Sequence, residues 1–262
     1  MKKIIILQAR LSSKRLPGKV LKKVQGIPLI EILLRRISRC KNADKIIVAI
    51  PRNRTNEKLY KFLKKKKYNI FRGNENNVLE RFYYTAKKAK ANIIVRLTAD
   101  NPLVDPLLID DLIDVLIKKK MDYVTNSYPY TFPDGLDVEV FTFNCLKKCY
   151  QKALSKFDKE HVTTYIRKSE RFKSYAVVNE KDLSKIRITV DADLDLEVIE
   201  EIIINMKNIH FSWKKIEKLY KEKPFIFSKN AHLKKYHSYY EIKSFKSMKY
   251  LAITKNRFNK KK

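Results

Sequence analysis

The sequence predicts an α/β protein in which helices flank a mostly parallel, mixed β-sheet. Short apolar runs of strand length alternate with longer segments in which apolar residues recur every three or four positions. A length of 262 residues suits one large domain with its own core. Strands that alternate with helices favour parallel pairing, because a crossover helix returns the chain to the same edge of the sheet.

The expected elements follow one another along the chain. Strands are predicted at KIIILQA, KIIVAI, YNIFRG, NIIVRLTAD and DYVTNS, and the helices between them at IPLIEILLRRISRC, NEKLYKFLKKKK, NVLERFYYTAKKAK and PLLIDDLIDVLIKK. A turn-rich loop, SYPYTFPDG, precedes the mixed strand DVEVFTF and helices at about 144–154 and 159–168. Two further strands, SYAVVN and IRITVD, lead to the helix DLDLEVIEEIIINM, whose acidic first turn suits a helix N-terminus.

The pattern predicts a domain boundary at residue 208. Residues 1–208 form the expected domain, with a distinct subregion at 127–180, and residues 209–262 form a basic, aromatic extension. The extension has one clear periodic segment, SWKKIEKLYKE. It is therefore interpreted as a flap, a dimer arm or a partly disordered tail.

The net charge of +31 has two interpretations. Such an excess is typical of proteins that bind nucleic acid, an anionic membrane or a polyanionic substrate. The excess of lysine also agrees with the codon bias of an AT-rich genome at solvent-exposed positions, since Lys outnumbers Arg and both Asn and Ile are abundant. The second interpretation accounts for the lysine runs, so direct nucleic-acid binding is not expected.

The remaining bulk features indicate a cytoplasmic protein. No apolar run approaches the roughly 18 residues that a membrane-spanning helix needs, and the run MKKIIILQAR reaches Arg10 too early for a signal peptide. Cys40, Cys145 and Cys149 are odd in number and lack the spacing of a zinc site. We expect reduced thiols and no membrane span.

Three cations follow the first strand closely. Arg10, Arg15 and Lys19 lie in the segment QARLSSKRLPGK, together with Ser12 and Ser13. Ligands of open parallel sheets bind where the strands end, and spaced cations with hydroxyl groups suit a phosphate chain. The other interpretation is a basic surface loop before a helix, because the segment is neither a Walker A loop nor a GxGxxG fingerprint.

Carboxylates follow two other predicted strands. Asp100 follows NIIVRLTA, and Asp191 ends IRITVD with Asp193 two residues later. If the two strands are neighbours, their carboxylates reach one hard cation. The alternative role is capping of the next helix, which suits Asp195 better than Asp191.

A second set of polar residues lies after residue 130. The loop TFPDGLDVE holds Asp134, Asp137 and Glu139, and the next helices carry Glu160 and His161. These residues either contact a second substrate or serve as hairpin and packing residues. Arg96, on the fourth strand, faces either the site or a helix.

Six stretches of the chain resemble the spore coat polysaccharide biosynthesis protein F-like cytidylyltransferases, which are related to acylneuraminate and 3-deoxy-manno-octulosonate cytidylyltransferases. The segment QARLSSKRLPGKVL contains the complete signature ARxxSxRLPGK of this superfamily. The others are FRGNENNVLERFY, VRLTADNPLVDP, TFPDGLDVEVF, KEHVT with YIR, and RITVDADLDLEVI, in order across residues 4–204. The resemblance implies a glycosyltransferase-A-like nucleotidyltransferase fold, CTP as donor, a divalent cation, taken as Mg²⁺, and a homodimer.

The resemblance also implies roles for individual residues. Asp100 and Asp191 would hold the metal, and with Arg15 and Lys19 they form the expected catalytic set. Thr98 stands where the octulosonate enzymes carry a glutamine that contacts cytosine, so base recognition is expected from Ala9 and Arg10. The nucleotide is assigned to Gln8, Ala9, Arg10, Ser12, Ser13, Arg15, Lys19, Thr98 and Asp100. The acceptor is assigned to Asp134, Asp137, Glu139, Glu160 and His161, within the sugar-binding and dimerisation subregion.

The expected reaction is transfer of CMP from CTP to a sugar, of the nonulosonic or octulosonic acid type, with release of pyrophosphate for surface polysaccharide or glycan synthesis. Two alternatives remain: a glycosyltransferase of the same fold that uses a nucleotide sugar, and a polyanion- or RNA-binding protein. If Asp100 and Asp191 repel each other in the metal-free protein, their Asn variants should melt at or above wild type.

Overall fold

The fold is a central β-sheet with helices on both faces. The computed structural model describes residues 1–13 and 15–233 together with the backbone of 249–253. The strands are β1 (Lys3–Gln8), β2 (Lys23–Val24), β3 (Ile27–Pro28), β4 (Lys45–Pro51), β5 (Ile70–Gly73), β6 (Ile93–Thr98), β7 (Tyr123–Thr125), β8 (Glu139–Thr142), β9 (Ser174–Asn179) and β10 (Lys249–Ile253). The helices are α1 (Leu29–Ile37), α2 (Glu57–Lys65), α3 (Val78–Lys88), α4 (Pro106–Lys118), α5 (Phe143–Lys152), α6 (Lys156–His161), α7 (Thr164–Lys168), α8 (Asp193–Met206), α9 (Trp213–Glu222) and α10 (Pro224–Ser228).

The main sheet has the strand order β10-β9-β7-β8-β6-β1-β4-β5. β8 runs antiparallel to both of its neighbours, and the other adjacent strands of this sheet are parallel. The predicted mostly parallel, mixed sheet is therefore confirmed. β1 lies between β6 and β4, so the loop after β1 meets the carboxyl ends of both neighbours.

Alternate residues of β1 enter two separate cores. Ile5 and Leu7 pack in the larger core with α1, α2, α4 and α8, whereas Ile4 and Ile6 pack in the smaller core with α3 and α5. This burial on both faces explains why the strand is a continuous apolar run. Because side chains alternate along a strand, Gln8 lies on the α3 face of the sheet.

The predicted helix over 159–168 is wrong in one respect, because it is divided into α6 and α7. Val162 has a φ of +63° and ends α6. The side chains that follow form buried hydrogen bonds: Thr163 Oγ1 donates to Glu139 and Thr164 Oγ1 to Asp158, at 2.7 and 2.5 Å. These tertiary contacts stabilise the break, which the sequence pattern does not reveal.

The segment IRITVD is extended, but it is not the predicted strand, since an isolated bridge of Arg187 is its one β-type pairing among the described residues. Its backbone bonds to loops instead of to a strand of the sheet. Ile188 N donates to Asp134 O at 2.7 Å, and Val190 N donates to Asp100 O at 2.8 Å. The expected proximity to the end of β6 is nevertheless found.

The predicted boundary at residue 208 falls inside the packed core. Phe211, Trp213 and Ile216 are buried in the same cluster as α4 and α8. The side chain of Asn230 is also fully buried and donates to Asp195 at 2.8 Å. Of the predicted extension, residues 234–262 lie outside the described residues, apart from the backbone of β10, which pairs with β9.

Across the described residues, the helices are too short or too polar to cross a lipid bilayer.

Candidate active site

A cavity of about 300 Å³ opens at the carboxyl ends of β1 and β6. It is bounded by the loop after β1, the end of β6, the start of α3 and the end of α6. Ligands of α/β sheets bind at this edge because the chain leaves the strands there through adjustable loops. Its lining includes five cationic side chains and three acidic ones, so the cavity suits an anionic ligand.

The loop after β1 is held in place by contacts outside itself. Leu11 N donates to Asn56 Oδ1 at 2.8 Å, and Ser12 Oγ donates to Glu75 at 3.0 Å. Gly18 has a φ of +70°, a conformation that glycine adopts without strain, and its N–H donates to Leu11 O at 3.0 Å. The loop is thus organised by its own protein neighbours.

Lys19 joins this loop to both predicted metal ligands. Its Nζ donates to Asp100 Oδ2 at 3.1 Å, to Asp191 Oδ1 at 2.9 Å and to Val190 O at 2.8 Å. Burial by itself would lower the Lys19 pKa, but the charges of Asp100 and Asp191 raise it above its ordinary value. Arg15 reaches the same oxygen of Asp191 at 2.9 Å.

Asp100 and Asp191 fit a hard cation, because the two carboxylates already converge on one positive charge. Mg²⁺ takes oxygen ligands and keeps several waters, so two carboxylates with phosphate oxygens suffice. Asp193 lies apart, since its carboxylate is 74% exposed and pairs with Lys22 at 2.8 Å. Within the described residues no group of three or more acidic, His or Cys side chains is placed to bind a metal.

Arg187 pairs with the Asp191 oxygen that does not contact Lys19. The sequence analysis did not identify this arginine. Its guanidinium pairs with Asp195 through two bonds of 2.8 and 2.9 Å and lies 3.5 Å from Asp191 Oδ2. Asp195 in turn accepts the backbone N–H groups of Asp191 and Ala192 at 2.8 and 2.9 Å. Asp195, the third residue of α8, thus satisfies backbone N–H groups at the start of the helix, whereas the N-cap position itself is occupied by Ala192.

Glu160 and His161 line the cavity from the end of α6. A Glu160 oxygen lies 3.9 Å from Arg10, and the His161 ring centroid lies 4.4 Å from that of Phe157. Glu160 is 53% exposed, so its carboxylate is open to a ligand. These two residues lie across the cavity from the loop after β1.

Glu139 lies in a buried ion network. Its carboxylate pairs with Arg96 and Arg167 and accepts hydrogen bonds from the hydroxyl groups of Tyr123 and Thr163. Burial raises its pKa, but the two guanidinium groups and the hydrogen bonds outweigh this and lower the pKa to about 2. Arg96 is therefore both a partner of Glu139 and part of the cavity wall.

Asp134 and Asp137 lie in the loop before β8, at a point where its backbone packs closely against the backbone of residues 188–189. A side chain at Gly135, whose φ is +115°, would place its Cβ 2.5 Å from Thr189 N. Asp134 lies 3.6 Å from Arg187, whereas Asp137 is half-buried. Burial and the nearby carboxylates of Asp134 and Glu139 raise the Asp137 pKa to about 8.

The structure brings most of the predicted site residues to one cavity. Those that line it are Gln8, Ala9, Arg10, Ser13, Arg15, Lys19, Thr98, Asp100, Glu160, His161 and Asp191. Those that do not are Ser12, Asp134, Asp137 and Glu139.

Arg81 is a lining residue that the sequence analysis missed. The available signal is its position on α3. Val78, Phe82 and Thr85 form the buried face of that helix, and Arg81 lies on the same face. A cation among apolar residues at helical spacing indicates a role other than solvation.

Comparison with known proteins supports one family. The model of a family described as "Cytidylyltransferase" matches residues 4–235. The spore coat polysaccharide biosynthesis protein SpsF of Bacillus subtilis is 33% identical over 76% of this chain and 85% of its own length. The 3-deoxy-manno-octulosonate cytidylyltransferase of Geobacter metallireducens is 29% identical over 45% of each chain.

A solved structure agrees over a longer span. The chain is similar to a cytidylyltransferase from Leptospira borgpetersenii, with a TM-score of 0.84 and 30% identity, over 90% of this chain and all of that one. Because the family model spans most of the chain and includes the loop, both carboxylates and the region beyond residue 208, this chain belongs to the cytidylyltransferase family and is a CTP-dependent nucleotidyltransferase.

Proposed function

We propose that this chain transfers CMP from CTP to the hydroxyl group of a sugar acid of the nonulosonic or octulosonic type and releases pyrophosphate. The product would serve surface polysaccharide or glycan synthesis. One observation carries the proposal: the Lys19 ammonium lies between Asp100 and Asp191 at the floor of a cavity lined by further cations. That arrangement suits a triphosphate and a divalent cation side by side.

The proposed reaction needs no covalent enzyme intermediate. A positioned hydroxyl group displaces pyrophosphate in line, so the protein contributes position and charge. Arg10 and Arg15 are about half exposed, so their side chains can move to contact the triphosphate. Lys19 would stabilise the negative charge that develops on the leaving pyrophosphate. Bound at Asp100 and Asp191, Mg²⁺ would neutralise the α-phosphate and lower the pKa of the attacking hydroxyl group.

The acidic acceptor is supported by charge as well as by kinship. Five cations and three carboxylates line the cavity, so its own charge does not repel an anionic acceptor. The octulosonate relative from Geobacter acts on a sugar acid by its name. Glu160 and His161 would bind the hydroxyl groups of the acceptor from the wall opposite the loop after β1.

We also propose a homodimer in the cytoplasm. Exposed apolar side chains favour pairing: Tyr84 is 43% exposed and stacks edge-on with Tyr150, and Leu154 after α5 is 85% exposed. CTP as substrate favours a cytoplasmic location. Light scattering tests the pairing, and a mass of 31 kDa at micromolar concentration would argue against it.

The decisive experiment is a matrix of substrates read by pyrophosphate release. Candidate sugar acids and a neutral sugar are each incubated with CTP, UTP, ATP or GTP, with Mg²⁺ or with EDTA. We expect release with CTP, a sugar acid and Mg²⁺ together, and none from Lys19→Met. A nucleotide sugar is tested as a further donor, and release of its nucleotide without pyrophosphate would instead support a glycosyltransferase.

A further inference from the structure

Arg81 is a buried cation at the cavity wall. It lies on α3, it is 2% exposed, and it lines the cavity beside Val78 and Arg10. Its side-chain stem passes over Gly73, where an added Cβ would lie 3.0 Å from Arg81 Cγ. Space for the arginine is thus built into β5.

The guanidinium of Arg81 is only partly used by the protein. Nη1 donates to Asn74 O and more weakly to Glu75 O at 3.4 Å, whereas Nε is buried and has no hydrogen-bond partner among the described residues. Within residues 1–13 and 15–233, Arg81 has no ion pair. Burial and the charge of Arg10 lower its pKa to about 10.

A structural role alone does not account for this arrangement. Burying a cation with an unused donor costs free energy, and a residue with an apolar tip would pack more favourably on the buried face of α3. A buried polar group that is left unsatisfied needs an explanation, and at a cavity wall a bound ligand is one that supplies the missing partner. The unused Nε–H lies beside Nη2 in the plane of the guanidinium group. Together these two donors match two adjacent acceptor atoms.

Gln8 supplies the complementary group at the same cavity. It ends β1 on the α3 face, and its side-chain Oε1 is buried and accepts no hydrogen bond from the part of the chain that the structure describes. Among the described residues of the cavity, Gln8 thus offers an unused acceptor and Arg81 an unused donor fork. Around them, Ala9, Val78 and Ala99 are apolar and nearly fully buried, which suits the faces of a flat ring.

We infer that Arg81 and Gln8 read the edge of the cytosine ring. That edge presents, in order, an amino donor at N4 and two acceptors, N3 and O2. Gln8 Oε1 accepts from N4, and the Nε and Nη2 groups of Arg81 donate to N3 and O2. Uracil carries an acceptor at O4 and a proton at N3, so it opposes the pattern at two of three positions. Arg81 is thus a specificity-determining residue, an inference that rests on the proposed use of CTP.

The test separates recognition of the base from recognition of the phosphates. Binding of cytidine and of inorganic tripolyphosphate is measured by calorimetry for wild type, Arg81→Met and Lys19→Met. We expect Arg81→Met to weaken cytidine binding at least about tenfold, the scale of a lost charged hydrogen bond, with tripolyphosphate binding unchanged. Lys19→Met should do the reverse.

Kinetics complete the test. In wild type, kcat/KM for CTP should exceed that for UTP, and this ratio should fall at least about tenfold in Arg81→Met and decrease in Gln8→Met. Arg81→Lys keeps the charge but lacks the fork, so it should not restore the ratio. Arg72→Met is the matched control. The Nε of Arg72 is likewise buried without a partner within the described residues, but Arg72 pairs with Glu57 outside the cavity.

Each contrary result has its own meaning. Unchanged base selectivity in Arg81→Met with a raised KM for the sugar acid would assign Arg81 to the acceptor and overturn the inference. If Arg81→Met loses affinity for cytidine and for tripolyphosphate equally and also melts at a lower temperature, Arg81 has a structural role. That result would also overturn the inference. If wild type neither binds CTP nor releases pyrophosphate from it, the proposed function fails instead.

Discussion

Lys19 Nζ lies 2.9 Å from Asp191 Oδ1, although 172 residues separate the two in sequence. The same nitrogen contacts Asp100, so one ammonium group joins the first loop of the chain to the ends of two later segments. A charge network that is set before substrate binds is what electrostatic catalysis needs, because little reorganisation remains for the reaction itself.

The first prediction concerns the region beyond residue 208. Trp213 is 2% exposed in the main core, whereas Phe225 on α10 is 64% exposed. Trp213→Ala should lower the free energy of unfolding by about 3–5 kcal/mol, the usual cost of emptying a buried aromatic site. Phe225→Ala, the matched control, should change it by less than about 0.5 kcal/mol. Urea denaturation measures both free energies of unfolding. Equal effects would mean that Trp213 is not part of the main core and that the region beyond residue 208 is not part of the domain.

The fold was largely predictable because its central strands are short apolar runs, which are typical of buried parallel strands. The segments of β1, β4 and β6 were expected in place, since a strand buried on both faces has a distinctive composition. The half-buried edge strand β5 was also expected. IRITVD failed as a strand because its partners are loop carbonyl and amide groups, which no local pattern reveals.

The site was predictable where it follows from strand ends. Arg15, Lys19, Asp100 and Asp191 meet because the segments that carry them all reach one edge of the sheet. Arg187 was missed because its role depends on Asp195 and Asp191, and the register of an extended segment decides which way it points.

The second prediction separates two glutamates that were both assigned to the acceptor. Glu139 is 2% exposed and neutralises two buried arginines, whereas Glu160 is largely open at the cavity. Glu139→Gln should destabilise the protein by about 3–5 kcal/mol at pH 7, because it leaves those cations uncompensated. Glu160→Gln should leave the melting temperature unchanged and raise KM for the sugar acid.

The pH dependence provides a check on Glu139. Its folded pKa of about 2 lies below the ordinary 4.5, so its contribution is present above pH 4.5 and disappears as the pH falls toward 2. The difference in melting temperature between wild type and Glu139→Gln should therefore shrink at pH 3. A difference independent of pH would mean that packing, not charge, is lost.

The third prediction concerns Asp137, where the sign is opposite. Its folded pKa of about 8 lies above the ordinary 3.8, so between these values the folded chain binds a proton that the unfolded chain releases. Stability therefore falls as the pH rises through this window. Asp137→Asn cannot ionise, so its melting temperature relative to wild type should increase from pH 4 to pH 8 and then level off. Thermal scans at several pH values measure this, and a constant difference would contradict it.

The last prediction joins Asp100 and Asp191 through the cations they share. If both carboxylates serve one Mg²⁺, Asp100→Asn and Asp191→Asn should each nearly abolish pyrophosphate release, and the double variant should be little worse than either. Losses that multiply would mean two independent roles.

Stability separates this shared role from a simple repulsion between the two aspartates. From sequence, relief of that repulsion should leave the metal-free variants at least as stable as wild type. The structure reverses the expectation, because both carboxylates neutralise the buried Lys19 and Asp191 also pairs with Arg15. Each Asn variant should melt below wild type, Asp191→Asn further than Asp100→Asn, since removal of one partner leaves a buried charge uncompensated. The increase in melting temperature caused by CTP with Mg²⁺ should also shrink in both. Variants that melt at or above wild type would show that Lys19 does not depend on these carboxylates for its charge balance.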